Sequence, residues 1–282
     1  NRKGGGWRSR YYPPGKRGDF INMSQVHKKS FGQHFLHDKG VIHSIVKVLG
    51  EIDEELVVEI GPGSGALTYE LIDLVPRGQL VLIEADRDLV PNLQEKYSAT
   101  IIRADAARVD YAPIVNDSDW VMIGNLPYNA ASAILMHALS YSVPPLRSII
   151  MVQKEQADRM LAKPGDMGLL SVAVQLYTRP RRCFNVGRGA FNPPPNVEST
   201  VLELTTLPDV DTLLNEQILV LARAGFAARR KQLAGNIEAA QIATKQVVQN
   251  TLEQIGVSAK ARAQELSVDQ WQQLYLALQE KH

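Results

Sequence analysis

Cysteine is almost absent from this sequence, with Cys183 the only one among 282 residues. A single thiol cannot form a disulfide within the chain, and it cannot supply the several thiolates of a structural zinc site. We therefore expect no disulfide framework and no metal centre. A reducing, cytoplasmic compartment fits this composition best.

Long apolar runs are also missing. No segment approaches the roughly 20 residues that cross a bilayer, and the basic residues 2–16 lead into no apolar core of a secretory signal. We therefore expect no contact with a membrane. Residues 1–22 are rich in glycine, arginine and proline without periodicity, which predicts a disordered basic extension. This extension is either an RNA-binding arm or an addition upstream of Met23.

Charge of one sign is not in excess, since the formal net charge is +1, but the cations are clustered. Residues 1–40 hold nine lysines and arginines against two aspartates. Two further groups contain Arg179, Arg181, Arg182 and Arg188, and then Arg223, Arg229, Arg230 and Lys231. Such clusters in a nearly neutral protein suit a phosphate backbone, although each one alone is equally typical of a solvated surface.

Short apolar runs alternate with helical patterns through the first two thirds of the chain. The predicted strands occupy residues 56–60, 80–84, 100–103, 120–124, 148–152, 170–177 and 200–204. Apolar residues recur at helical spacing over 66–74, 88–96 and 130–141. The alternation predicts an α/β fold with a doubly wound, mostly parallel sheet.

The pattern changes near residue 206, after which strand signals stop. Residues 209–282 are typical of helices, with Ser267 and Gln270 forming a capping box before an apolar stripe. Another helix is predicted after Asp38, which is suited to be its N-cap. We therefore divide the chain into the extension 1–22, an α/β domain over 23–206 and a helical domain over 207–282.

A glycine-rich loop over residues 61–65 directly follows the first predicted strand. In an open α/β sheet, ligands bind beyond the carboxyl ends of the strands, and glycines such as Gly61 and Gly63 let the backbone turn beside them. Glu84 ends the second strand, where a carboxylate can accept both ribose hydroxyls of an adenosine-containing cofactor. Asp105, after the third strand, can accept from the adenine amine. The loop also satisfies the dinucleotide pattern GxGxxA, so a nicotinamide or flavin cofactor stays open.

The motif Asn125-Leu126-Pro127-Tyr128 comes directly after the fourth strand, on the same rim of the sheet. Adenine N6 is a poor nucleophile, so its methylation requires the amine to be held and pyramidalised. The Asn125 side-chain carbonyl and the backbone carbonyl of Leu126 or Pro127 can accept its hydrogens. Tyr128 offers an aromatic face for an unstacked base. The competing interpretation is a turn that caps the next helix.

Eight segments together carry a family resemblance. They are SFGQHFL (30–36), VVEIGPGSGALT (57–68), IEADRDL (83–89), ADA (104–106), NLPY (125–128), QKEQADRML (153–161), FNPPPNVEST (191–200) and FAARRKQL (226–233). In this order they closely resemble the rRNA adenine N6,N6-dimethyltransferase family, and most nearly its bacterial members that act on small-subunit rRNA. The resemblance implies a Rossmann-like class I methyltransferase fold, S-adenosylmethionine as cofactor and a C-terminal helical domain that binds RNA.

The resemblance also implies roles for individual residues. Cofactor contacts would come from His34, Leu36, Gly61, Gly63, Glu84, Asp105 and Asn125. Phe191 would stack on the target adenine opposite Tyr128, and Arg229, Arg230 and Lys231 would bind rRNA phosphates. Two departures weaken the expected hold on RNA. Residues 164–171 are two residues shorter than in many relatives and lack an arginine, and residues 229–235 lack another.

The function that the resemblance implies is dimethylation of two adjacent adenines near the 3′ end of small-subunit (16S) rRNA, with a role in subunit maturation. The partner would be an assembly intermediate of the small (30S) subunit, and the protein would be a monomer. Three alternatives stay open: a large-subunit methylase of the macrolide-resistance type, a non-catalytic ribosome-assembly factor, and a nicotinamide-dependent oxidoreductase.

Overall fold

The computed structural model describes residues 34–280, in nine strands and eleven α-helices over that range. The extension 1–22 and the first four residues of SFGQHFL lie outside it. The strands are β1 Phe35–Leu36, β2 Leu56–Ile60, β3 Leu80–Glu84, β4 Thr100–Arg103, β5 Trp120–Asn125, β6 Arg147–Gln153, β7 Thr178–Val186, β8 Phe191–Asn192 and β9 Ser199–Thr206. The helices are α1 Lys39–Leu49, α2 Ala66–Leu74, α3 Val90–Lys96, α4 Ala112–Val115, α5 Ala131–Leu139, α6 Lys154–Met160, α7 Leu169–Gln175, α8 Thr212–Gly225, α9 Leu233–Ala239, α10 Lys245–Gln254 and α11 Val268–Gln279.

Seven strands form one sheet in the order β4-β3-β2-β5-β6-β9-β7. The first five are parallel, and β9 runs antiparallel to both β6 and β7. The predicted α/β fold with a mostly parallel sheet is confirmed. The chain builds outward from β2 through β3 to β4 and then returns to place β5 on the other side of β2. The strand order therefore reverses between β2 and β5, where open α/β sheets bind ligands.

The central strands are apolar because both faces of the sheet are covered. Alternate side chains of β2 enter two different clusters: Val58 and Ile60 pack with α5 and α7, whereas Val57 packs with α1 and α2. β5 divides its side chains in the same way, with Met122 on the first side and Ile123 on the second. This two-sided burial fixes the register of β2 against β5, so the two strands end at the same rim.

The helical segment after β9 packs on the same core. The last strand ends at Thr206, and α8 lies against α7, where the Asn215 amide donates to the Leu176 carbonyl at 3.1 Å. Apolar side chains of α8 to α11 belong to the cluster that contains Val58. A division between residues 206 and 207 thus separates the α/β part of the chain from the helical part, although both contribute to one apolar cluster. The two-domain division stays a proposal.

Residues 170–177, predicted as a strand, form helix α7 instead. The run LLSVAVQ is buried nearly all round, so it lacks the one-sided periodicity of an amphipathic helix. The Ser171 hydroxyl accepts the Gly168 N–H at 2.8 Å and closes the first turn. The missed strand is the next segment, β7, which is an edge strand. Its exposed arginines and Pro180 hid it from the pattern, and an edge strand tolerates both.

Two predicted helix caps are confirmed. The Asp38 carboxylate accepts the Val41 N–H at 3.0 Å at the start of α1. Ser267 and Gln270 form the reciprocal capping box at the start of α11, with bonds of 3.2 and 2.9 Å. Within residues 34–280, no helix is both long enough and apolar enough to cross a bilayer.

A two-stranded antiparallel pairing of β1 with β8 was not predicted. Leu36 faces Phe191 in this pair, and the His37 N–H donates to the Ala190 carbonyl at 2.9 Å. The pairing joins residues that are 155 positions apart, and neither strand is longer than two residues. It brings residues 34–36 onto the rim where β2 and β5 end.

The approach of β5 to β2 predicts a strict requirement for Gly124. A Cβ at this position would lie 2.4 Å from the Ile60 carbonyl oxygen, a backbone atom that cannot move aside cheaply. We expect Gly124→Ala to lower the free energy of unfolding by about 1–3 kcal/mol through overpacking. The matched control is Gly235→Ala, since a Cβ there meets nothing within 4 Å and alanine favours a helix. Thermal denaturation of both variants checks this, and an unchanged Tm for Gly124→Ala would contradict it.

Candidate active site

A cavity of about 410 Å³ lies at the carboxyl ends of β2, β3 and β5. This volume is typical of small-molecule sites. Its walls come from the β1 segment, the glycine loop, the ends of β3 and β4, and the loop after β5. The sequence-predicted residues that line it are His34, Leu36, Gly61, Gly63, Glu84, Asp105, Asn125, Leu126, Pro127 and Tyr128. The fold therefore brings all the predicted cofactor residues and the NLPY motif to one cavity.

The glycine loop needs glycine for two reasons. Gly61, Gly63 and Gly65 all have positive φ, at 65°, 58° and 85°. A Cβ at Gly63 would lie 3.1 Å from the Phe35 ring, and one at Gly65 would lie 2.5 Å from the Tyr97 ring. Tyr97, which the sequence analysis missed, also donates its hydroxyl to the Gly65 carbonyl at 2.9 Å. Tyr97, which directly follows α3, therefore packs against the loop and fixes its backbone at Gly65.

Glu84 is buried at the end of β3, with both carboxylate oxygens engaged. One oxygen accepts the Gly63 N–H at 3.0 Å and the other accepts the Asp86 N–H at 2.8 Å. Burial raises the pKa of Glu84, and these two backbone N–H groups oppose that shift. Each oxygen retains a further lone pair, so the carboxylate can still accept ribose hydroxyls while it ties the glycine loop to β3.

Glu59 is a second buried carboxyl group in the cavity wall, and the sequence analysis did not single it out. Its side chain is 1% exposed, and it accepts the Thr68 hydroxyl at 2.7 Å. Burial is the main cause that raises the pKa of Glu59 to about 8; the Thr68 hydroxyl opposes this shift, and the neighbouring Glu84 adds a smaller upward contribution. An acidic residue in the middle of an apolar strand was the signal that could have identified it, since such a position is costly for an ordinary carboxylate.

Asp105 lies at the more open end of the cavity, after β4. One carboxylate oxygen accepts the Ala107 N–H at 3.0 Å, and the other lies 3.8 Å from the Arg108 guanidinium. The first contact fixes the direction of the side chain within its own turn. An exposed carboxylate held in this direction is suited to accept a hydrogen bond from the amine of an adenine. It is less suited to pair with a buried positive charge.

The side chain of Asn125 is oriented by the backbone of residue 34. Its amide nitrogen donates to the His34 carbonyl at 3.3 Å, which assigns the carbonyl oxygen of the amide to the other side. The Pro127 carbonyl accepts the N–H groups of Ala130 and Ala131 at 2.9 and 2.8 Å, so it caps α5. Of the two backbone acceptors considered from the sequence, the Leu126 carbonyl is therefore the better candidate for an incoming amine.

Tyr128 is held at both ends. Its hydroxyl lies 2.7 Å from the Ser199 hydroxyl of β9, and its backbone carbonyl accepts the Gln156 amide at 3.3 Å. Burial raises the pKa of Tyr128, so the phenol stays neutral. Gln156, at the start of α6, was missed as a positioning residue, although it lies in the segment QKEQADRML. Its second contact, the Ser132 hydroxyl at 3.5 Å, ties the motif to α5.

Phe191 is not among the residues that line the cavity, and the stacking role that the resemblance implies stays a prediction. Its side chain is 2% exposed and packs with Leu36 and Ile42 in the apolar cluster beneath α1. Pairing of β8 with β1 turns Phe191 inward and Asn192 outward, as alternation along a strand requires. The ring that faces Tyr128 is the His34 imidazole, stacked at 5.8 Å, and its Nδ1 donates to the Pro193 carbonyl at 2.8 Å.

Among residues 34–280, the cavity walls contain acidic groups but no lysine or arginine. Two of the carboxyl groups, Glu59 and Glu84, are buried. Within residues 34–280, no group of three or more histidine, cysteine or acidic side chains is placed to hold a metal ion. A ligand that combines an adenosine with a positive charge fits this donor set, because the carboxylates serve the ribose and the cation together.

Arg229, Arg230 and Lys231 lie apart from the cavity, exposed between α8 and α9. The other predicted cluster differs from them in its partners. Arg181 pairs with Glu203, and Arg182 pairs with Asp158. Arg181 and Arg182 are therefore ion-paired, whereas Arg179 of the same strand and the three residues after α8 have no ion-pair partner within residues 34–280.

Comparison with known proteins gives consistent results. The family model for ribosomal RNA adenine dimethylase matches residues 24–280. The ribosomal RNA small subunit methyltransferase A of Acidobacterium capsulatum is 37% identical, over 98% of this chain and 99% of its own. That of Pseudomonas aeruginosa is 39% identical over 75% and 81%.

Two solved structures share the fold. A dimethyladenosine transferase from Plasmodium falciparum has a TM-score of 0.75 at 25% identity and covers 88% of this chain and 98% of its own. The 23S rRNA methyltransferase ErmE has a TM-score of 0.67 at 22% identity and covers 87% and 99%. The likeness to ErmE concerns the fold alone.

The buried carboxyl of Glu59 predicts a pH-dependent stability. Folding raises its pKa from 4.5 to about 8. Its contribution to the free energy of unfolding is therefore fully present below about pH 4.5 and is lost as the pH rises through about 8. Glu59→Gln is neutral at every pH and still accepts the Thr68 hydroxyl. Across that range we expect the free energy of unfolding of the wild type to fall, relative to this variant, by on the order of a few kcal/mol, as the size of the pKa shift implies. The Tm of the wild type should fall with it.

The control for this experiment is Glu54→Gln, which removes an exposed charge five positions earlier. Calorimetric melting of all three proteins in a pH series is the measurement. Parallel curves for the wild type and Glu59→Gln would show that the carboxyl titrates normally in the folded protein.

Proposed function

The chain belongs to the ribosomal RNA adenine dimethylase family, and from that membership we propose that it dimethylates N6 of two adjacent adenines near the 3′ end of small-subunit rRNA. The protein is an S-adenosylmethionine-dependent rRNA adenine dimethyltransferase. One observation of the site carries the proposal: the Asn125 amide is oriented by the His34 carbonyl so that its own oxygen is available beside the cofactor cavity. Such an acceptor is what an exocyclic amine needs.

The residues of the cavity fit the cofactor. The glycine loop offers a surface from which side chains are excluded at Gly63 and Gly65. Glu84 would accept the ribose hydroxyls and Asp105 the adenine amine, and Leu36 would pack against the cofactor. Bound S-adenosylmethionine supplies a methyl group on a sulfonium centre. The buried Glu84 carboxylate would then face a ligand whose positive charge it stabilises.

The amine is positioned by two acceptors and one ring. The Asn125 side-chain oxygen and the Leu126 carbonyl would each accept one N6 hydrogen, which turns the nitrogen lone pair out of conjugation and towards the methyl group. Tyr128, fixed by Ser199 and Gln156, would support the flipped base on its face. A charged general base is not required, because the proton is readily lost from the methylated amine. Catalysis is then mainly positioning.

Substrate binding extends beyond the cavity. The substrate is rRNA, and we propose that it is presented in an assembly intermediate of the small subunit, so that the enzyme also contributes to subunit maturation. Arg229, Arg230 and Lys231 would bind phosphates of this RNA, since they are exposed and have no ion-pair partner within residues 34–280. We further propose that the protein acts as a cytoplasmic monomer and without a metal ion.

The proposed role of Asn125 is tested by Asn125→Ala. The variant loses an acceptor for the amine and the contact to His34, so we expect kcat to fall at least about a hundredfold. Tm should change much less, and calorimetric titration with the cofactor separates any loss of cofactor binding from the loss of kcat. Asn250→Ala is the matched control, on the exposed face of α10. Near-normal methyl transfer by Asn125→Ala would remove this residue from the mechanism.

The function itself is tested with labelled S-adenosylmethionine and small ribosomal subunits that lack the adenine dimethylation. We expect label in N6,N6-dimethyladenosine from small subunits, and none in mature large subunits. Label in the large subunit would indicate an enzyme of the macrolide-resistance type. Subunit binding without any transfer would leave only an assembly role.

A further inference from the structure

The turn that carries Asp105 is shaped by its own backbone. Residues 104–110 follow β4, and the first three of them line the cavity. The Ala107 N–H donates to the Asp105 carboxylate at 3.0 Å, and the Val109 N–H donates to the Asp105 carbonyl at 2.9 Å. Both bonds join residues of the same turn. They determine its shape, but the position of the turn against the cavity requires contacts from other elements.

Helix α5 supplies one such contact through His137. The Nε2 atom of its imidazole lies 2.8 Å from the Val109 carbonyl oxygen. A carbonyl oxygen can only accept a hydrogen bond, so Nε2 carries a proton and is the donor. The N–H of Val109 is itself bonded to the Asp105 carbonyl, so the two residues belong to one closed turn. His137 therefore ties the end of this turn to a helix that lies 28 positions further along the chain.

Tyr111 holds the middle of the same turn. Its hydroxyl donates to the Ala106 carbonyl at 2.9 Å, and its side chain is completely buried. The centroid of its ring is 5.5 Å from that of His137 and 5.3 Å from that of Trp120. His137 thus acts on the turn in two ways, directly through its hydrogen bond and indirectly through the ring of Tyr111.

The other end of α5 begins at the NLPY motif. The Pro127 carbonyl accepts the N–H groups of Ala130 and Ala131 at 2.9 and 2.8 Å. Ile134, three residues before His137 on the helix, lies in the cavity wall. The nine residues of α5 span about 13 Å. One short helix therefore connects the motif that would hold the target amine to the turn that would hold the adenine of the cofactor.

We propose that His137 is a positioning residue for the cofactor, which holds the Asp105 turn where the carboxylate meets the 6-amino group of the adenine. His137 is not among the residues that line the cavity, so it acts through the Val109 carbonyl and does not touch the ligand. The inference rests on the proposed role of Asp105 as the acceptor of that amine. The competing explanation is that His137 only fills space beside Tyr111, in which case another ring would replace it.

Two substitutions separate the hydrogen bond from the packing. His137→Phe keeps a ring beside Tyr111 and removes the donor, whereas His137→Gln keeps an N–H donor at a similar distance from the backbone. The measurement is calorimetric affinity for S-adenosylhomocysteine and for its analogue with purine in place of adenine, which lacks only the amino group. The wild type should prefer the first ligand by about tenfold or more, because the analogue cannot donate to the carboxylate.

We expect His137→Phe to reduce this preference by at least about threefold and His137→Gln to retain it. His137→Leu also lacks the donor but has a smaller side chain than Phe, and it should reduce the preference equally. The matched control is Asn215→Leu, which removes a buried side-chain donor to the Leu176 carbonyl, outside the cavity wall. Its Tm should fall, but its preference between the two ligands should equal that of the wild type.

A wild-type preference in His137→Phe and His137→Leu, or an equal loss in Asn215→Leu, overturns the role of His137. Absence of any preference in the wild type overturns it together with the role of Asp105. Ligand binding is measured without RNA, so these results do not depend on methyl transfer. Failure of methyl transfer to small subunits would therefore reject the proposed function and leave the role of His137 in place.

Discussion

The active site depends on the contact between β2 and β5, where the strand order reverses. Parallel pairing of these two strands sets the glycine loop and the NLPY motif side by side, because each begins where its strand ends. The contact is close enough that Gly124 cannot carry a Cβ against the Ile60 carbonyl. The catalytic arrangement is therefore a consequence of sheet packing. Two-sided burial of β2 and β5 fixes their register, and the register fixes the position of the glycine loop relative to the NLPY motif.

The charge of the cavity wall bears on the choice of cofactor. Glu59 and Glu84 are buried in a cavity to which residues 34–280 contribute no lysine or arginine. A dinucleotide would bring an anionic pyrophosphate to the glycine loop, close to the Glu84 carboxylate, and like charges at short range in a poorly solvated site are unfavourable. A sulfonium cofactor reverses the sign of that interaction. The GxGxxA pattern alone could not separate the two cofactor classes, and a carboxylate such as Glu84 can accept the ribose of either one. Membership of the ribosomal RNA adenine dimethylase family decides between them.

The features that the sequence predicted are those that depend on neighbouring residues. The central strands, the glycine loop and the caps at Asp38 and Ser267 follow from local pattern. The features that it missed depend on contacts distant in sequence, such as Tyr97 beneath Gly65 and Gln156 against Tyr128. Phe191 shows the limit most clearly. Its inward orientation is set by β8 pairing with β1 across 155 positions, and no local pattern carries that information. The strand predicted over residues 170–177 was wrong for another reason. An apolar run without a polar face has no periodicity that distinguishes a helix from a strand.

The same distinction applies to the basic clusters. In the sequence, the arginines at 179–182 and at 229–230 are equivalent, because both are short runs of positive charge. In the structure, Arg181 and Arg182 lie on an edge strand and form ion pairs with Glu203 and Asp158. Arg229 and Arg230 have no such partners within residues 34–280, so their charge is available to a ligand. Under the proposed function, cations that the fold leaves without a carboxylate partner would bind the nucleic acid, and the buried Glu84 would bind the cofactor.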